Sequence, residues 1–110
     1  MKYNTREEKG ATVVAFEGDV DLESSRVARK ALLEAVGKGL PVIVDLSHVV
    51  YMDSSGIASM VEALQASKKA KQSFALANVS ETADRVIKLA RLDRVFTLHA
   101  TLEDGLNAVS

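Results

Sequence analysis

An acid, two hydroxyls and a glycine stand together at Asp53-Ser54-Ser55-Gly56, between two apolar segments. Hydroxyls so placed can attack a substrate, accept a phosphoryl group or cap a helix. Nucleophilic attack would require a G-x-S-x-G elbow, and neither Ser54 nor Ser55 has the preceding glycine. The only histidines, His48 and His99, read as loop or strand-end residues and not as bases. Without cysteine there is no thiol catalysis, disulfide or thiolate metal site, and two isolated histidines do not make a structural zinc site. No glycine-rich phosphate loop with its lysine is present, and the acids and lysines are poorly spaced for a receiver-type phosphoacceptor aspartate. The expectation is a protein with no enzymatic activity, metal or cofactor of its own.

Capping and phosphate acceptance draw on the same physics. The first N–H groups of a helix lack partners, so Asp53, Ser54 or Ser55 accepting one of them contributes about 1 kcal/mol. Those N–H groups and the positive end of the helix dipole also suit a phosphate. Phosphorylation would add about −1.5 to −2 charge beside Asp53, with no basic residue in the local sequence to offset it. Gly56 is not explained by a cap. Glycine in a helix is less stable than alanine by roughly 0.5–1 kcal/mol, so its place in the first turn implies close approach of another backbone or of a partner.

The elements that must position this stretch follow from apolar spacing. Thr12 to Gly18 reads as a strand, with Lys2 to Glu7 its edge partner across a turn at Glu8-Lys9-Gly10-Ala11. Val27, Ala28, Ala31, Leu32, Ala35 and Val36 keep helical spacing up to a stop at Gly37 or Gly39, with Pro41 beyond. Val42 to Leu46 is an apolar run broken by Asp45, the pattern of a strand buried on both faces, and a loop-stabilising hydrogen bond is the expected role of that acid. Ile57, Met60, Val61 and Leu64 mark a helix over about 56–70, and Ser73 to Ala77 a strand. Ser80 is an expected N-cap for a helix whose inward stripe is Ala83, Val86, Ile87 and Ala90. Val95 to His99 reads as a last strand, and Leu102, Leu106 and Val109 as a final helix.

The alternation predicts an α/β domain: a mostly parallel four- to five-stranded sheet with an antiparallel edge strand and about four helices. It places Asp53-Ser54-Ser55-Gly56 beyond the carboxyl end of a buried strand, where α/β proteins gather their binding loops. Asp19 and Asp21 follow a neighbouring strand and either contact a partner or order the loop, or are turn residues whose side chains cap the next helix.

A length of 110 residues suits one domain, expected over 1–110. A hydrophobic fraction of 47% and a charged fraction of 26% are those of a globular protein that builds its own core. With net charge −1 and scattered Lys and Arg, no basic footprint for direct nucleic-acid binding is evident. No apolar run approaches a membrane span, and the sequence reads as a soluble, cytoplasmic protein with protein partners and no membrane association.

VIVDLSHVVYMDSSGIASMVEAL, from Val42 to Leu64, resembles the central strand, loop and helix of STAS domains, specifically the bacterial anti-sigma factor antagonists. Gly18-Asp19-Val20-Asp21 is similar to their Gly-Glu-Leu-Asp turn, and the resemblance extends over essentially the whole chain. In that family the serine directly after the aspartate is the phosphoacceptor, which implies Ser54 here, with Ser55 a cap or contact residue. Asp19, Asp21, Asp53, Ser55, Gly56 and Ile57 would then form the partner-binding surface. The resemblance implies that the unphosphorylated protein binds an anti-sigma factor that is also a serine kinase, freeing a sigma factor. Phosphorylation of Ser54 would separate the complex and a PP2C-type, metal-dependent serine phosphatase would reverse it. The alternative within the superfamily is a non-switching STAS subunit of a transporter ATPase or stress-sensing complex. One position departs from the pattern: the family often has glycine before the leucine after its third helix, where this chain has Arg91 before Leu92.

Overall fold

The computed structural model describes residues 1–109. Among them the order is β1 (Lys2–Glu8), β2 (Ala11–Val20), α1 (Ser25–Gly37), β3 (Val42–Met52), α2 (Ser54–Lys69), β4 (Phe74–Ala77), α3 (Glu81–Leu89), a 3-10 turn (Leu92–Arg94), β5 (Thr97–His99) and α4 (Leu102–Val109). The five strands form one sheet in the order β1-β2-β3-β4-β5, with β1 antiparallel to β2 and all other neighbours parallel. This is the expected α/β architecture. Lys9 and Gly10 both have positive φ, at 49° and 80°, which gives the β1–β2 turn the twist a two-residue hairpin needs.

One face of the sheet carries the main core. Val14, Phe16, Val44, Leu46 and Leu76 pack there against Ala28, Leu32 and Ala35 of α1, Met60 and Ala63 of α2, and Ile87 of α3. The other face is covered by α4, whose Leu106 packs on Ala11, Val13, Ile43 and Ala77. Burial on both faces is why β3 begins as the unbroken run Val42-Ile43-Val44.

Several details differ from the sequence reading. Val27 is 48% exposed, because the buried arc of α1 is narrow and is filled by alanines at 28, 31 and 35. Ala90 is exposed as the C-cap of α3, and β5 starts at Thr97 because the Val95 N–H turns back to the Leu92 carbonyl at 3.0 Å. β3 continues six residues beyond Leu46, to Met52. Asp45 does serve a local hydrogen bond, its Oδ1 accepting from the Ser47 N–H at 2.9 Å. Ser80 caps α3 as expected, its hydroxyl accepting from the Ala83 N–H at 3.3 Å. Arg91 sits at φ 60°, ψ 25°, the left-handed conformation in which glycine carries no steric cost.

Candidate functional site

Beyond Asp45 the strand β3 has left β4 behind and pairs with β2 alone, through Gly18↔Val49, Asp19↔Tyr51 and Val20↔Met52. Register shifts between Ala15 and Glu17 and between Gly18 and Asp19 break the alternation along this extension. The two strands therefore end side by side, and the loop from β2 into α1 meets the start of α2.

Asp53 joins them. Its backbone is extended, at φ −116° and ψ −174°, which makes it the N-cap of α2. Oδ1 accepts from the N–H groups of Ser55 at 2.9 Å and Gly56 at 3.2 Å, and Oδ2 accepts from the Leu22 N–H at 3.2 Å. The Asp53 N–H donates to the Val20 carbonyl at 3.4 Å. One carboxylate thus closes a helix end and ties a loop 31 residues away in sequence. Ser55 is not the cap: it is the second residue of the helix and gives its N–H to Asp53.

Gly56 is explained by this junction. A Cβ at this position would lie 2.4 Å from the Val20 carbonyl oxygen, 3.0 Å from Val20 Cγ1 and 3.2 Å from Met52 Cγ. The backbone that approaches it is the protein's own. Gly56 and Ile57 are both buried, Ile57 in the main core, so of the residues expected at a partner surface these two lie beneath it.

Ser54, the first residue of α2, is exposed, and its hydroxyl makes no hydrogen bond among the described residues. Ser55 is half-buried and lines an open groove between α1 and α2 with Ser25, Arg26, Arg29, Ser59 and Glu62. The Ser59 hydroxyl bridges the helices, 3.2 Å from the Ser25 carbonyl and 3.1 Å from that of Ser55, and Arg29 pairs with Glu62 across the groove. Basic groups therefore share this groove with Ser55, delivered by α1 and not by the neighbouring sequence, whereas Ser54 does not line it.

The β2–α1 loop is ordered by Asp21. Its Oδ1 accepts from the Ser24 N–H at 3.1 Å, and its own N–H donates to the Ser24 hydroxyl at 3.0 Å. The Ser24 N–H bond, followed by that of the Ser24 hydroxyl, holds the Asp21 carboxyl below the usual aspartate range. Asp19 is exposed, and with Asp21, Glu23 and Met1 it edges a shallow hollow at the foot of Val27. Between these acids Leu22 stands 72% exposed. Sequence reasoning missed Leu22, an apolar residue left exposed in the loop, and Arg26, which only the packing of α1 on α2 brings to the groove beside Ser55.

The arrangement is thus an exposed hydroxyl on a capped helix start, flanked by acids and one exposed leucine. The STAS domain family model matches residues 2–105 of this sequence. The chain belongs to the STAS domain family. Among relatives of this STAS domain, the anti-sigma-B factor antagonist of Bacillus subtilis (strain 168) is 27% identical over 106 residues, covering 96% of this chain and 97% of that one. The anti-sigma-F factor antagonist RsfB of Mycobacterium tuberculosis is 30% identical over 103 residues, 91% of this chain and 82% of that protein. The crystal structure of an anti-sigma factor antagonist from Mycobacterium paratuberculosis superposes with a TM-score of 0.90 at 27% identity, covering 98% of this STAS domain and 92% of that chain. Among the described residues no helix is long and apolar enough to cross a membrane.

Proposed function

We propose that this protein is an anti-sigma factor antagonist switched by phosphorylation of Ser54. Unphosphorylated, it binds an anti-sigma factor that is also a serine kinase, and the bound sigma factor is released. Phosphoryl transfer to Ser54 ends the complex, and a PP2C-type serine phosphatase regenerates the binding form. The single observation that carries the reading is the contrast between Asp53 and Ser54. The acid is fully engaged in capping and loop closure, whereas the hydroxyl beside it is exposed and makes no hydrogen bond among the described residues.

The surface around Ser54 supports the partner side of the reading. Leu22 offers an apolar anchor, and Asp19, Asp21, Glu23 and Asp53 place four acids on the two loops at this end of the sheet. A partner that docks here covers Ser54. The new phosphate would then be pressed against the docked surface beside these acids and outside the groove that holds Arg26 and Arg29, and a charge left unpaired in an interface costs about 3–5 kcal/mol. Since each 1.4 kcal/mol is tenfold, affinity falls roughly a hundredfold or more. The helix itself gains from the change, because a dianion at the first position of α2 faces the positive end of its dipole. The switch therefore acts on the interface and leaves the fold intact.

The test is incubation with the cognate kinase and ATP, followed by mass spectrometry of the site and titration of binding. Phosphate on Ser54, with Ser54→Ala still binding and Ser54→Asp weakened, is the expected result. Phosphate elsewhere, or capture of a transporter ATPase in place of a kinase, would overturn it.

A further inference from the structure

The two edges of the sheet are unlike. β5 has three residues, too few to template another strand, whereas β1 has seven in unbroken register with β2 from Lys2↔Glu17 to Glu8↔Ala11. β1 contains no proline and no bulge, and Lys2, Tyr3, Asn4, Arg6 and Glu7 are exposed. Such an edge presents a row of unpaired backbone groups. Charges usually blunt an edge of this kind, and β1 is charged, but its charges are ordered: Lys2 at one end, Glu7 and Glu8 at the other.

That order complements itself when the strand is reversed. Lys2, Asn4, Arg6 and Glu8 share one face, where Arg6 bonds Glu8 at 3.0 Å and Asn4 at 3.3 Å. Tyr3, Thr5 and Glu7 share the other, on which Tyr3 packs against Phe16 with ring centroids 6.3 Å apart. In an antiparallel pair of β1 strands centred on Thr5, Lys2 lies opposite Glu8 of the second copy, twice by symmetry. Asn4 then lies opposite Arg6, Tyr3 opposite Glu7 and Thr5 opposite its own equivalent, a favourable cross-strand pair. The neighbouring registers that keep both helical layers on one side are poor. Centring on Asn4 sets Lys2 against Arg6, and centring on Arg6 sets that residue against itself. The hollow over the helix side of the edge, lined by Tyr3, Thr5, Ala31, Glu34 and Lys38, then joins its symmetry mate.

We propose that the protein forms a two-fold dimer with a second copy of itself through β1, in the register centred on Thr5, continuing the sheet across both copies. Antiparallel pairing sends the carboxyl ends of the two β3 strands in opposite directions, so the two Ser54 sites point away from each other.

Sedimentation of the full chain and of two charge reversals tests this. The wild type is expected to dimerise with increasing concentration, and Lys2→Glu and Glu8→Lys each to weaken the dimer at least about tenfold, because each reversal sets like charges opposite at two places. An equimolar mixture of the two variants restores every opposite-sign pair and is expected to dimerise as the wild type does. Both substitutions are on the outer edge, and unchanged circular dichroism would show that they fold. The chain has no cysteine, so Thr5→Cys gives a second readout: on oxidation it is expected to cross-link faster than a control cysteine on α4, as in Glu103→Cys. A wild type monomeric at several hundred micromolar, or a mixture that stays monomeric while the wild type dimerises, would overturn the proposal.

Discussion

Replacing Gly56 by alanine should destabilise the protein although alanine is the better helix former. Helix propensity alone favours the substitution by about 0.5–1 kcal/mol. Against it, the new Cβ would meet the Val20 carbonyl oxygen at 2.4 Å, and that oxygen belongs to backbone, which cannot swing aside as a side chain can. Relief requires Val20 and the start of α2 to separate by most of an ångström. Overpacking of this kind costs about 1–3 kcal/mol. The same movement stretches the bonds from the Asp53 N–H to Val20 and from the Leu22 N–H to Asp53, and a hydrogen bond to a charged group is worth about 1.5–3 kcal/mol. The net expectation is a loss of about 2–3 kcal/mol. In urea, with a slope near 1.5 kcal/mol/M, the midpoint should fall by about 1–2 M with the slope unchanged. Gly37 is the matched control, since a Cβ there meets nothing within 4 Å and the residue ends α1. Gly37→Ala should be neutral or stabilising by up to about 0.5 kcal/mol. If Gly56→Ala proved as stable as Gly37→Ala, the close junction between β2 and α2 would be refuted.

Other outcomes follow from the same geometry. Asp53→Ala removes the cap of α2 and the tie to Leu22, and should cost about 2 kcal/mol in urea denaturation, with faster amide exchange at Leu22, Ser55 and Gly56. Arg91→Gly relieves a left-handed residue and should raise stability by about 0.5–1 kcal/mol in thermal or urea unfolding. Asp21 titrates below the usual aspartate range in the folded state, so its contribution is present above the unfolded value and is lost as pH falls through the folded one. Asp21→Asn should therefore reduce the slope of stability against pH on the acid side, and carboxyl NMR titration of the parent should place Asp21 below an unstructured aspartate.

Legibility in the sequence followed the range of the interactions. The strands and helices were readable because their apolar spacing is local, as at Val42-Ile43-Val44 and at Ala28, Ala31, Leu32 and Ala35. The continuation of β3 to Met52 was not, because strand pairing past Asp45 is one-sided and bulged. His48, Val50 and Tyr51 are exposed there in no simple alternation. Choosing the cap among Asp53, Ser54 and Ser55 required backbone angles that three adjacent cap-forming residues do not disclose. Gly56 announced a close approach, but whether from a partner or from Val20, 36 positions earlier, only the folded chain could decide. The same holds for Leu22 and for Arg26, whose relation to the site runs through the packing of α1 on α2.

The Asp53 carboxylate reaching back to Leu22 also bears on how the serine can be imitated. A short peptide spanning Tyr51 to Ala58 would carry the right side chains, yet it would lack Leu22, the Val20 carbonyl and the sheet that holds the cap extended. An inhibitor copied from that segment would present a flexible serine, and ordering it on binding costs about 1–2 kcal/mol for each backbone residue fixed. A mimic that competes for the partner therefore has to reproduce two loops clasped by one acid, which makes it a scaffold problem and not a peptide problem.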